Sequence, residues 1–122
     1  MSMKFDDKLP IYIQIMNYMK KKIITGEING GDKLLSVREL STKLRVNPNT
    51  IQRTYQELER ENLVFTQRGM GTFVTEDKQI VKNLKKDMAS DIIESFINEM
   101  KGLGFSYDEI VEVVKDRTEK EE

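Results

Sequence analysis

Ser36-Val37-Arg38-Glu39, Asn47-Pro48-Asn49-Thr50 and Arg68-Gly69-Met70-Gly71-Thr72 punctuate the stretch from Ser36 to Val74, and that stretch decides the fold. Ser36 followed three residues later by Glu39 spells a capping box, which starts a helix that buries Val37, Leu40 and Leu44. A four-residue break, Arg45-Val46-Asn47-Pro48, comes next. Asn47 is a good N-cap and Pro48 suits the first helical position, so a second helix opens there. It buries Ile51, Tyr55 and Leu58 and ends near Glu61-Asn62-Leu63. Two helices joined by so short a connection, the second presenting polar residues, spell helix-turn-helix. Val64-Phe65-Thr66 and Thr72-Phe73-Val74 are β-rich runs around a glycine tip and read as a hairpin. Each of the three punctuating motifs sets a polar or backbone donor where an element begins or turns, a position suited to phosphate contacts.

Upstream, Pro10 opens an amphipathic pattern in which Tyr12, Ile15, Met16, Met19 and Ile23 share one helical face. Lys20, Lys21 and Lys22 fall near its end, where cations suit the macrodipole, and Gly26 is the expected stop. Lys33-Leu34-Leu35 reads as a very short strand. Downstream, Ile80, Leu84, Met88, Ile92, Phe96 and Met100 recur every four residues, and Val81, Ala89, Ile93 and Ile97 widen the stripe beyond what a lone surface helix needs. Gly102 and Gly104 break that helix. Ser106 with Glu109 repeats the capping box, and Tyr107, Ile110, Val111 and Val114 form a second stripe. The charged end from Lys115 is expected to fray. The predicted fold is mainly α with a small β-hairpin wing: a winged helix-turn-helix over residues 1–75, then a two-helix dimerisation or effector region over residues 76–122.

Composition narrows the function. In 122 residues there is neither histidine nor cysteine, which removes the commonest general base, the commonest zinc ligand and any thiolate site. With no paired carboxylates in a plausible cleft, an enzyme is not expected, and neither a metal nor a cofactor is called for. No apolar run is long enough to span a bilayer, and Met1-Ser2-Met3-Lys4-Phe5-Asp6-Asp7 lacks the apolar core of a signal peptide, so no membrane association and a cytoplasmic location are expected. The net charge of −1 hides an asymmetry. Residues 1–75 hold 12 Lys/Arg against 8 Asp/Glu, whereas residues 76–122 hold 8 against 13. Only the first region has the sign for a polyanion.

Residues 10–74 resemble the winged helix-turn-helix of the GntR family of bacterial transcription regulators. The motifs that carry the resemblance run in order: Pro10-Ile11-Tyr12-Ile13-Gln14-Ile15, Ile24-Thr25-Gly26-Glu27-Ile28, Gly31-Asp32-Lys33-Leu34, Ser36-Val37-Arg38-Glu39-Leu40, Val46-Asn47-Pro48-Asn49-Thr50-Ile51, Tyr55-Gln56-Glu57-Leu58-Glu59 and Gly69-Met70-Gly71-Thr72-Phe73-Val74. The Asn-Pro-Asn-Thr start with Gln52-Arg53 looks like the YtrA-like subfamily, as does the short C-terminal region. The resemblance implies double-stranded DNA as partner, a homodimer formed through the two C-terminal helices, and repression of the chain's own operon, often one encoding ATP-binding-cassette transporter components. It leaves any small-molecule effector unknown. Much of the family has arginine where this chain has Pro48 and Gln52, and proline where it has Leu35, so those two arginine contacts do not carry over.

The candidate DNA-binding residues are Arg38, Asn47, Asn49, Thr50, Gln52, Arg53, Arg68, Gly69, Gly71 and Thr72. Arginine can take a guanine edge or a phosphate with two donors at once, and glutamine can read adenine. The resemblance makes Arg38 a DNA-contacting residue; pairing with Glu39 or Asp32 would give it a purely structural role instead. For Asn47, capping alone is an equal reading, and for Gln52 a plain solvated face stands beside the functional one. Lys43 and Arg45 add diffuse attraction to phosphates. Glycine at the wing tip permits close backbone approach or positive φ, which a plain hairpin turn would also use. The candidate dimer interface is Leu84, Met88, Ile92, Phe96 and Met100, and dimerisation implies an inverted-repeat operator. The competing function is a winged-helix module that binds protein and not DNA, which would have no need of Arg38, Arg45, Arg53 and Arg68 on one face.

Overall fold

The computed structural model describes residues 3–120. Its elements are α1 (Ile11–Thr25), α2 (Val37–Leu44), α3 (Pro48–Arg60), β1 (Val64–Gln67), β2 (Gly71–Val74), α4 (Lys78–Gly102) and α5 (Tyr107–Lys120). They divide into two compact units, Met1–Leu84 and Lys85–Glu122, and α4 contributes to both.

In the first unit α3 is the central element, packed on α1, α2 and β1. α1 begins at Pro10, whose carbonyl accepts from the Ile13 and Gln14 amides, and it ends on Gly26 at φ 81°, as the sequence predicts. The capping box of α2 is complete: Glu39 N–H donates to Ser36 Oγ at 3.1 Å and Ser36 N–H to Glu39 Oε1 at 2.9 Å. Arg45 ends α2 in the left-handed region at φ 57°. Around this turn Ser41 works from both sides, its carbonyl accepting from the amides at Arg45 and Val46 and its hydroxyl donating to the Val46 carbonyl at 2.6 Å. Asn47 Oδ1 then accepts from Asn49 N–H at 2.8 Å and opens α3 with Pro48 at its first position. The turn between the two helices is thus held by hydrogen bonds made within a few residues of it.

Ile15 and Met19 of α1, Leu40 of α2, Ile51 and Leu58 of α3, Leu63 just before β1 and Val74 of β2 are fully buried. Thr54 is buried among them, and its hydroxyl donates to the Thr50 carbonyl at 2.9 Å, which satisfies the polar group within its own helix. Val37 is only half-buried, so α2 rests on Leu40 and Leu44. Tyr12 is also half-buried, at the rim of the α1 face. Lys20 pairs with Glu61 at 2.9 Å, tying α1 to the end of α3.

β1 and β2 pair antiparallel, Val64 opposite Val74 and Phe65 opposite Phe73, with those two aromatic rings stacked at 5.8 Å. The expected strand at Lys33-Leu34-Leu35 is a single bridge, Lys33 to Phe73, reinforced by Leu34 N–H on the Thr72 carbonyl and Val74 N–H on the Asp32 carbonyl. Leu35 turns away to meet Tyr55 instead, accepting the phenol at 2.6 Å. Burial, and secondarily the Glu39 carboxylate, pushes that phenol well above the usual tyrosine range, so it stays a donor.

The second unit contains the rest of α4, then Gly104 at φ 94°, then α5. Ser106 and Glu109 form the expected second capping box, at 2.9 and 3.2 Å. The charged end remains helical to Lys120 rather than fraying at Lys115, since α5 carries Asp108 and Glu109 in its first turn and Arg117 and Lys120 in its last, both signs placed to suit the helix dipole.

Candidate nucleic-acid interface

Arg38 sits in the first turn of α2, exposed, one residue before the glutamate of the capping box. Its two possible carboxylate partners are occupied elsewhere. Glu39 binds the Ser36 amide, and Asp32 Oδ2 accepts from Asn29 N–H at 2.8 Å. Among the described residues no ion pair involves Arg38, Arg45, Arg53 or Arg68. No carboxylate offsets these guanidiniums, so a polyanion can use them. The bond from the Ser36 backbone, followed by the Ser36 hydroxyl, holds the Glu39 carboxyl below its ordinary value, so Glu39 remains ionised and committed to the cap.

On α3, Asn47 spends its side-chain oxygen on the cap, Asn49 and Gln52 are exposed, and Thr50 is half-buried with its carbonyl taken by Thr54. Arg53 is exposed but ordered: its guanidinium lies 4.0 Å from the centroid of the Tyr12 ring, and Nη2 donates to the Tyr12 hydroxyl at 3.2 Å. Asn49, Thr50 and Arg53 share a shallow depression with Ile11 and Tyr12.

At the wing, Met70 N–H donates to the Gln67 carbonyl at 2.9 Å, closing a turn that needs Gly69 at φ 78° and Gly71 at φ 126°. Arg68 and Met70 project from it, exposed. Thr72 is half-buried on β2, its hydroxyl 3.5 Å from that of Thr66. The Lys33 side chain runs from its bridge with Phe73 toward the tip of the wing, its Cε so close that a Cβ on Gly71 would lie 2.7 Å from it. A groove lined by Lys33, Ser36, Glu39, Arg68 and Gly71 runs between the start of α2 and the wing.

Two clusters result. One joins the start of α2 to Arg68, Gly69, Gly71 and Thr72; the other joins Asn49, Thr50 and Arg53. Arg38, Asn47 and Gln52 line neither depression and stand on the surface. Two neighbours escape a sequence reading. Lys33 and Tyr12 reach the clusters through tertiary packing. Met70, an exposed apolar side chain at a glycine-flanked tip, was legible in the sequence as the one non-polar residue of the turn.

In the second unit the stripe remains open. Ile92 is 66% exposed and Phe96 38%, while Met88 and Met100 are half-buried. Leu84 differs: it belongs to the first unit and is buried there, so it has little surface left to offer a partner.

Among the described residues no group of acidic side chains is arranged to hold a metal ion, and no helix is long and apolar enough to cross a membrane. Residues 11–74 match the family described as bacterial regulatory proteins, gntR family. Over 119 residues the chain is 44% identical to the uncharacterized HTH-type transcriptional regulator YhcF of Bacillus subtilis (strain 168), with 98% of each chain covered. It is 38% identical over 108 residues to the HTH-type transcriptional repressor YtrA of the same organism, covering 88% of this chain and 83% of that one. In structure it is similar to a GntR family transcriptional regulator from Listeria monocytogenes, with a TM-score of 0.83 at 51% identity over 92% of this chain and 98% of the other. It is also similar to AraR(DBD), solved in complex with operator ORX1, with a TM-score of 0.56 at 26% identity over 62% of this chain and 95% of that one. These relatives are regulators of transcription and not enzymes.

Proposed function

Because the chain belongs to the GntR family of bacterial regulatory proteins, and is a DNA-binding transcription regulator, we propose that it acts in the cytoplasm as a homodimeric repressor of its own operon. The observation that carries this reading is the open apolar stripe of the second unit. A two-helix unit that leaves Ile92 and Phe96 in water has apolar surface to bury, and a second copy related by a two-fold axis is the commonest solution. Residues 76–122 form the dimerisation region in this reading, with Met88, Ile92, Phe96 and Met100 at its centre. Two copies set two winged helices at a fixed spacing, so the operator is an inverted repeat. Arg38, Asn47, Asn49, Thr50, Gln52 and Arg53 address the major groove and the phosphates, and Arg68, Gly69, Gly71 and Thr72 the backbone or minor groove. Repression is supported by the relative YtrA, named as a repressor; an operon for transporter components follows from the subfamily resemblance alone.

Footprinting on the chain's own promoter, with sedimentation of the same sample, tests the proposal. One protected inverted repeat and a dimer are expected. Arg38→Ala should weaken the footprint by about 1–3 kcal/mol without loss of fold. A monomer at micromolar concentration, or protection of a lone half-site, would remove the dimer from the account. Unchanged affinity in folded Arg38→Ala would remove that residue from the contact set.

A further inference from the structure

Tyr12 lies in the first turn of α1, outside the helix-turn-helix and the wing, yet it makes a two-part side-chain contact with Arg53 on the exposed face of α3. The Arg53 guanidinium stands 4.0 Å from its ring centroid, and Nη2 donates to its hydroxyl at 3.2 Å. A ring face attracts a cation through its quadrupole, and arginine is the cation that also matches the ring in plane. The usual way to order an exposed arginine is a carboxylate, which cancels its charge. Here a neutral phenol does the ordering. Of the five guanidinium N–H donors the hydroxyl occupies one, so the charge and most donors stay available. The ordered group shares its depression with Asn49 and Thr50, the polar residues at the start of α3.

From this geometry we propose that Tyr12 is a positioning residue for Arg53. It holds the guanidinium in a defined place above the α3 face, so that contact with a base edge or phosphate of duplex DNA is made by a side chain already ordered. Ordering before binding raises affinity by lowering the entropy lost on association. The two parts of the contact are separable. The ring supplies a stacking surface, and the hydroxyl fixes rotation within it. The proposal rests on the reading of α3 as the DNA-recognition element.

The test is a double-mutant cycle with the full chain and a duplex that the wild-type chain enriches from a random-sequence pool. Tyr12→Leu should weaken binding about three- to tenfold. Tyr12→Phe, which keeps the ring and loses the acceptor, should fall between wild type and Tyr12→Leu. In an Arg53→Ala background, Tyr12→Leu should have no further effect. A merely structural role for Tyr12 would weaken binding equally in both backgrounds, and that result overturns the proposal. So does tighter binding by Tyr12→Leu, which would mean that the ring sequesters Arg53, and so does an Arg53→Ala variant that binds as wild type. If the wild-type chain enriches no duplex at all, the functional reading falls and the proposal with it. Enrichment without coupling overturns the positioning role alone.

Discussion

The winged unit and the C-terminal helices use the same vocabulary and reach opposite outcomes. Both have amphipathic helices, and both open a helix with a serine–glutamate capping box, Ser36 with Glu39 and Ser106 with Glu109. In the first, α3 lies among three neighbours, and Ile51, Thr54 and Leu58 lose all contact with water. In the second, Ile110 is the sole buried side chain among the described residues 85–120, while Ile92, Ile93, Leu103 and Val111 face solvent. Amphipathic periodicity therefore says that a helix face needs a partner. It does not say whether the partner is in the same chain.

The comparison breaks most sharply under truncation of core side chains. Leu58→Ala should cost about 2–5 kcal/mol in thermal or denaturant unfolding, because the site is fully buried and packed on all sides. Ile92→Ala should cost far less in unfolding at low protein concentration and appear in the sedimentation profile instead. If Ile92→Ala destabilises dilute protein as much as Leu58→Ala, the tail has an internal core of its own. The capping boxes then sharpen the contrast. Ser36→Ala should cost about 1 kcal/mol of global stability, since α2 is integrated with α3. Ser106→Ala should lower the helicity of α5 and leave the unfolding midpoint of the winged unit in place, which circular dichroism and calorimetry can separate.

The smallest effect is in pH. Glu39 and Glu109 are each held below the ordinary 4.5, first by the backbone amide of their serine and then by its hydroxyl. A lowered folded value means that the contribution is fully present above pH 4.5 and is lost as pH falls through the lower folded value. Glu39→Gln should flatten this part of the acid limb of the unfolding curve, and Glu109→Gln should flatten only the helicity of α5. A Glu39→Gln variant whose acid limb is superimposable on wild type would show that the bond contributes nothing in solution.

The local devices were legible in the sequence. Ser36–Glu39, Asn47–Pro48, Gly26 and the Gly69–Gly71 tip all act within a few residues, so their chemistry is written in adjacent letters. Part of what the sequence does not show depends on distance along the chain, and part on how a polar side chain is satisfied within its own helix. Periodicity puts Tyr12 on the core face of α1 and cannot show that its ring lies at the rim under a guanidinium from α3. Thr54 has a polar side chain and gives no burial signal, yet its hydroxyl is satisfied by the carbonyl four residues back and can be buried at little cost. Lys33-Leu34-Leu35 looked like a strand but yields one bridge, because Leu35 is drawn off by the Tyr55 hydroxyl. The charged C-terminal residues read as a fraying end, whereas their arrangement along α5 suits the helix.

The bridge between Lys33 and Phe73 also differs from the hairpin in what it costs to close. The hairpin closes a short loop, Val64 to Val74, whereas the bridge spans a segment roughly four times longer. Each doubling of loop length adds about 0.6 kcal/mol of closure entropy, so the bridge begins with a handicap of roughly 1 kcal/mol. The wing is thus held by two kinds of contact: a hairpin of low sequence separation, and a tether at its base of high sequence separation that gains its support from the packing of α3 on α1 and α2.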